Sequence, residues 1–194
     1  MARLYLVRHA RPAAGWGEDL DPGLDDIGVD QARAAADELS KRSNPLALYT
    51  SPMRRCRETA TPLEARWQRQ AMVLPAVAEI PAPPLDLSAR RNWLTIATAG
   101  TWQDLDAGAP AGSIDYLLWR RQLIDALTAL PTDCVIFTHF IAINVAVGAA
   151  QGSADVVCFR PDHASVTVID TSGPRPMVVE LGRQGQASFL VRKG

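Results

Sequence analysis

Lysine is nearly missing from this chain: Lys41 and Lys193 stand alone, and the other 18 of its 20 basic residues are arginine. Cysteine is scarce as well. Cys56, Cys134 and Cys158 are odd in number and far apart, with no CxxC or Cys/His cluster, which excludes a disulfide framework and a structural zinc site. No long apolar run exists. The longest, Phe140 to Ala150, is interrupted by Asn144 and is too short to span a bilayer. The amino-terminal stretch turns charged within its first eight residues and offers no signal-peptide core. Charge of one sign is also lacking, since 20 basic and 21 acidic residues leave a net −1. A nucleic-acid binder is clearly basic, and a polybasic membrane anchor needs a cationic cluster. These absences predict a cytoplasmic protein without nucleic-acid or membrane partners.

What is present is ordinary for a globular chain: 194 residues, 47% of them hydrophobic. A chain of this size buries about 70% of its unfolded surface and needs no metal or disulfide staple, so one domain over residues 1–194 is expected. Leu4 to Val7, Leu46 to Thr50, Met72 to Leu74 and Cys134 to Thr138 are apolar enough to be strands, and Ser165 to Asp170 and Met177 to Leu181 follow late. Between them lie helical spacings: Asp25 to Lys41 with Asp25 as N-cap, Ser51-Pro52 to about Gln70, Ser113 to Leu130, and Ile141 to Ala149. Pro75 to Pro84 holds four prolines and reads as a rigid loop. Residues 85–112 are the least legible. Strands alternating with helices predict an α/β fold, a three-layer α/β/α sandwich around a mostly parallel sheet.

In such sheets ligands bind beyond the carboxyl ends of the strands. Arg8-His9 follows the first strand, His139 follows Cys134 to Thr138, and Ser51 to Arg55 follows the second strand. Two histidines and several arginines converging there form a site for an anion, and phosphate suits the planar guanidinium fork. Other phosphate and hydrolase chemistries lack their residues. Cysteine phosphatases need Cys-x5-Arg, but Pro62, Phe140 and Ala164 lie six beyond the three cysteines. Asp19-Leu20-Asp21 and Asp104-Leu105-Asp106 have the letters of a magnesium-dependent Asp-x-Asp, yet neither follows an apolar strand, and both read as loop or turn residues. No Gly-x-Ser-x-Gly elbow, Walker loop or dinucleotide glycine pattern occurs.

Four blocks, in order, resemble the histidine phosphatase (phosphoglycerate mutase-like) superfamily. Leu6-Val7-Arg8-His9-Ala10 is similar to its Arg-His-Gly signature. Leu24 to Gly28, with Gln31-Ala32, resembles its first-helix motif. Thr50-Ser51-Pro52-Met53-Arg54-Arg55-Cys56-Arg57-Glu58-Thr59-Ala60 resembles its Ser-Pro-Leu block, and Val135 to Phe140 its Val-Ser-His-Gly element. The resemblance spans about residues 3–170 and implies the phosphatase branch. His9 would be the nucleophile, Arg8 and Arg55 would hold phosphoryl oxygens, and His139 would add a third donor, with no metal or other cofactor. The general acid would be a Glu shortly after the third strand, best matched by Glu79, with Glu18, Asp19 and Asp86 in reserve.

The sequence also departs from that pattern. Ala10 and Phe140 replace glycines, and no Asn follows the first motif, where Arg11 is a further candidate for the phosphate site. Ala10 is harmless unless its φ is positive, and Phe140 could narrow the pocket. His163 lies before a strand, at the pocket rim or in a structural role. The loop around Trp16 and residues 85–112, with Trp93 and Trp102, are the candidates for a substrate-selecting cover. The expected activity is metal-independent hydrolysis of a small phosphorylated substrate or phosphoprotein through a phosphohistidine. Two alternatives remain: a phosphate-binding relative with little turnover, and a mutase, which is typically longer.

Overall fold

Alternation along β1 (Arg3–Arg8) divides the sheet into two faces: Leu4 and Leu6 enter one apolar core and Val7 the other. The structure is a computed structural model that describes residues 2–15 and 18–185. Six strands form one sheet in the order β3-β2-β4-β1-β5-β6, with β2 at Ala47–Thr50, β3 at Met72–Val73, β4 at Cys134–Thr138, β5 at Val166–Asp170 and β6 at Met177–Glu180. The pairs β3-β2, β2-β4 and β4-β1 are parallel, while β1-β5 and β5-β6 are antiparallel. The expected three-layer α/β architecture holds, with a parallel half that carries the site.

One face is covered by α1 (Asp26–Arg42) and α2 (Arg54–Trp67), which pack Ala36, Leu39, Cys56, Ala60 and Leu63 against Val7, Leu48, Val135 and Phe137. Asp25 caps α1 by accepting from the Gly28 N–H. Gly28 is needed for close approach, because a Cβ there would stand 2.1 Å from the Arg11 carbonyl oxygen. Ile27, expected on the buried face, is half exposed, since Gly28 takes the position against the loop. The other face is covered by α3 (Leu87–Ala97), α4 (Trp102–Ala107), α5 (Tyr116–Thr128) and α6 (Phe140–Gln151). Among the described residues no helix is long and apolar enough to cross a membrane.

Three local expectations are corrected. The second helix starts at Arg54, not at Ser51-Pro52, because the Ser51 N–H still donates to Phe137 in the adjacent strand and the Met53 N–H turns back to the Ser51 hydroxyl. Residues 85–112 hold two helices, started by the Asp86 N-cap and by a capping box between Thr101 and Asp104. Asp104-Leu105-Asp106 is therefore helical. Trp93 and Trp102, 8% and 2% exposed, belong to the core beneath α5 rather than to a cover. Trp16 lies outside the described residues.

Candidate active site

The carboxyl ends of β2, β4 and β1 lie side by side, and each delivers one part of the site. The His9 N–H donates to the Thr138 carbonyl at 2.8 Å and the Ser51 N–H to the Phe137 carbonyl at 2.9 Å, so the segments leaving the three strands are stitched together. Arg8, His9, Ser51, Arg55 and His139 are all buried there. The rings of His9 and His139 stand edge to face with centroids 5.3 Å apart. Arg55 reaches them from the first turn of α2, while Arg54 and Arg57 on the same turn point to solvent. Thr59, one turn on, accepts from the Ala10 N–H and donates to the Arg55 carbonyl, which binds α2 to the loop after β1.

Hydrogen bonding fixes the histidine tautomers. His9 Nδ1 lies 2.9 Å from the Ala10 carbonyl oxygen, which can only accept, so Nδ1 carries the proton and Nε2 keeps its lone pair. Arg55 Nη2, a donor only, is 3.2 Å from His139 Nδ1, and the remaining N–H of His139 reaches the Ser51 hydroxyl at 2.7 Å. Burial, followed by the neighbouring His139, Arg55 and Arg8, pushes His9 well below the usual histidine range. Burial, then Arg55 and Arg8, does the same to His139. Arg8 is drawn down to about 10 by burial. Its Nη1 donates to the Pro161 carbonyl, and its guanidinium lies 5.2 Å from the centre of the Phe140 ring.

Glu79 completes the cluster. The loop after β3 carries it to the start of α6, where its Oε1 accepts from the N–H groups of Ile80 and Ile141, both at 3.1 Å. Burial raises its carboxyl above the usual range against the opposing pull of these bonds and of the nearby Arg55 and Arg8. The reserve carboxylates lie elsewhere. Glu18 pairs with Arg91 and the Gly15 N–H, Asp19 accepts from the Asp21 N–H, and Asp86 caps α3. Arg11 is drawn to Asp25, with Nε and Nη2 both 2.7 Å from Oδ2, instead of joining the cluster.

The departures from the family motifs resolve simply. Among the described non-glycine residues only Gln68 and Ala164 have positive φ, so Ala10 is unstrained. Phe140 is the first residue of α6 and is packed in the core beneath Arg8. Three participants were not foreseen. Ser51 bonds His139; the Cys56 thiol, kept protonated by burial, sits 3.3 Å from His139 Nε2; and Asp21 approaches Arg55 Nη1 at 3.9 Å. Ser51 and Cys56 stand inside the quoted Ser-Pro-Leu-like block, so the signal was their place directly after β2. Among the described residues no three His, Cys, Asp or Glu come together as a metal site.

A model of the histidine phosphatase superfamily (branch 1) matches residues 4–184. No curated protein matches the chain. Among solved structures it is similar to mycobacterial glucosyl-3-phosphoglycerate phosphatase in complex with inorganic phosphate, at TM-score 0.71 and 24% identity over 94% of this chain and 97% of that one. It is also similar to a phosphoserine phosphatase mutant from Entamoeba histolytica in complex with phosphoserine (TM-score 0.69, 15% identity, 93% and 96% covered). A phosphoglycerate mutase from Thermus thermophilus resembles it as well (TM-score 0.65, 20% identity, 92% and 99% covered). At these identities the likeness is one of fold.

Proposed function

Because the chain belongs to the histidine phosphatase superfamily, branch 1, we propose that it is a phosphomonoesterase working through a phosphohistidine at His9, without a metal, on a small phosphorylated substrate or phosphoprotein. The observation that supports this most is the free lone pair of His9 Nε2 in a buried cluster whose charge comes from Arg8 and Arg55. The fold neighbours that carry inorganic phosphate and phosphoserine add to it.

The chemistry follows from what each group can do. His9 Nε2 attacks phosphorus, an N–P bond forms, and the bond to the leaving oxygen breaks. Arg8 and Arg55 hold the equatorial oxygens, where the transition-state charge collects. Glu79, whose carboxyl burial raises above the usual range, gives its proton to the leaving oxygen. In the second half the Glu79 carboxylate takes a proton from water, the water oxygen attacks phosphorus, and the N–P bond breaks to release phosphate and restore His9. Both nitrogens of His139 are occupied, so acting as a third donor requires its N–H to leave Ser51 for a phosphoryl oxygen.

The test is hydrolysis of an aryl phosphate by wild type and His9→Ala, each with and without EDTA. Chelator-resistant turnover lost in the variant is the expected result. Turnover that survives in His9→Ala, or that depends strictly on magnesium, would overturn the assignment. Stable phosphorylation of His9 without release would identify a phosphate-binding relative instead, and transfer of the phosphoryl group to an acceptor other than water would identify a mutase.

A further inference from the structure

His163 stands apart from the machinery above, yet it touches two of its members. Its Nε2 is 3.4 Å from Arg8 Nη2, its Nδ1 is 3.4 Å from the His9 carbonyl oxygen, and its ring centre lies 5.6 Å from that of His9. The two hydrogen-bond contacts demand the same proton arrangement. Arg8 can only donate, so Nε2 accepts; the carbonyl can only accept, so Nδ1 donates. One neutral imidazole satisfies both.

The backbone that presents this ring is strained. Ala164 is buried at φ 55°, a left-handed conformation that disfavours any residue with a Cβ. The turn around it clasps Arg8 on both sides: the Ala164 N–H donates to the Arg8 carbonyl at 3.1 Å, and the Arg8 N–H to the Ser165 carbonyl at 3.2 Å. Asp162 reinforces the turn by accepting from the His163 N–H through Oδ1 and from Ser165 through its carbonyl. Strain held by so many bonds beside a functional cation has a use when it fixes that cation's geometry.

We propose that His163 is a positioning residue: as a neutral hydrogen-bond acceptor it sets the plane of the Arg8 guanidinium that grips the phosphoryl group. The Arg8 fork is then held by the Pro161 carbonyl on Nη1, by His163 on Nη2 and by the Phe140 ring across its face. The inference rests on Arg8 being a phosphoryl holder, and it assigns no proton transfer to His163.

The test measures binding of inorganic phosphate by calorimetry, alongside aryl phosphate kinetics, in His163→Leu and His163→Gln. A leucine fills the space and offers no acceptor, whereas the glutamine amide can accept from Arg8 and donate to the His9 carbonyl. His163→Leu should lose about tenfold or more in phosphate affinity and in kcat/KM, the scale of a hydrogen bond to a charged group. His163→Gln should return to within about threefold of wild type on the same scale. Equal losses in both variants, or wild-type behaviour in the leucine variant, would overturn the proposal. If His163→Leu does not fold, the glutamine variant decides, and a loss of about tenfold there, the same charged-bond scale, counts against it. Phosphate binding without His9-dependent turnover would sink the catalytic reading and leave the His163 comparison intact.

Discussion

The ring of His9 donates its Nδ1–H to the carbonyl oxygen of Ala10, 2.9 Å away. The bond joins adjacent residues, so the orientation of the His9 ring is fixed by local backbone rather than by a distant carboxylate. Burial and three cationic or imidazole neighbours push the same ring well below the ordinary histidine range. His9 should therefore be the neutral Nδ1–H tautomer at about pH 6, and imidazole nitrogen NMR shifts would show it. The acid limb of kcat/KM should then fall below about pH 6.5, the ordinary histidine value. A His9 signal that titrates near that value would refute the assignment.

Glu79 should matter in proportion to how poor the leaving group is. Glu79→Gln keeps an acceptor for the Ile141 N–H but has no proton to give. Loss in kcat/KM on an alkyl phosphate should be about a hundredfold or more, the scale of general acid catalysis, and much smaller on an aryl phosphate. In the proposed mechanism kcat/KM reports the step that forms the phosphohistidine, so the comparison isolates the acid role. Equal losses on both substrates would remove Glu79 from it.

Phe140 should be structural first. It is 1% exposed, starts α6 and lies beneath Arg8. Phe140→Ala should cost about 3–5 kcal/mol, from lost transfer energy and the cavity left behind, and lower Tm by roughly 10 °C for a chain of this size. A denaturation curve within about 1 kcal/mol of wild type would show that the core closes over the gap, contrary to the usual incomplete relaxation.

Most of this site was legible because strand ends and motif order place it. Arg8 ends β1, His9 and His139 directly follow β1 and β4, and Arg55 lies in the first turn of the helix after β2, so naming the strands located them. Glu79 was legible only through the family resemblance, since nothing in Val77 to Pro81 reveals that the loop folds back to the α6 amino terminus. Ser51 and Cys56 lie within the motif after β2, but their contacts with His139 depend on how β2 sits beside β4. Trp93 and Trp102 misled because scattered tryptophans in a weakly patterned stretch suggest a cover. Short helices begun by side-chain caps at Asp86 and Thr101 instead bury them. The pairing of Arg11 with Asp25 was not legible, because the two become neighbours only when α1 packs on the loop after His9.

The three histidines should make the fold sensitive to mild acid. In the folded protein His9 and His139 lie well below their ordinary value and His163 at about 3, each lowered first by burial. A lowered histidine binds its proton in the unfolded chain and not in the native one. Its contribution is therefore fully present above about pH 6.5 and is lost as pH falls from there towards the folded value, by about 1.4 kcal/mol per unit. Glu79 acts in the opposite sense, because its raised carboxyl takes up a proton in the native state first. Three histidines offset by one carboxyl should lower unfolding free energy by about 2–4 kcal/mol between about pH 7 and pH 5.5. Urea unfolding at the two pH values measures this, and His163→Gln should remove about a third of the histidine part, since one of three linked protons is gone. A fall of less than about 1 kcal/mol would mean that the imidazoles are protonated in the native protein, which would also deny His9 its free lone pair.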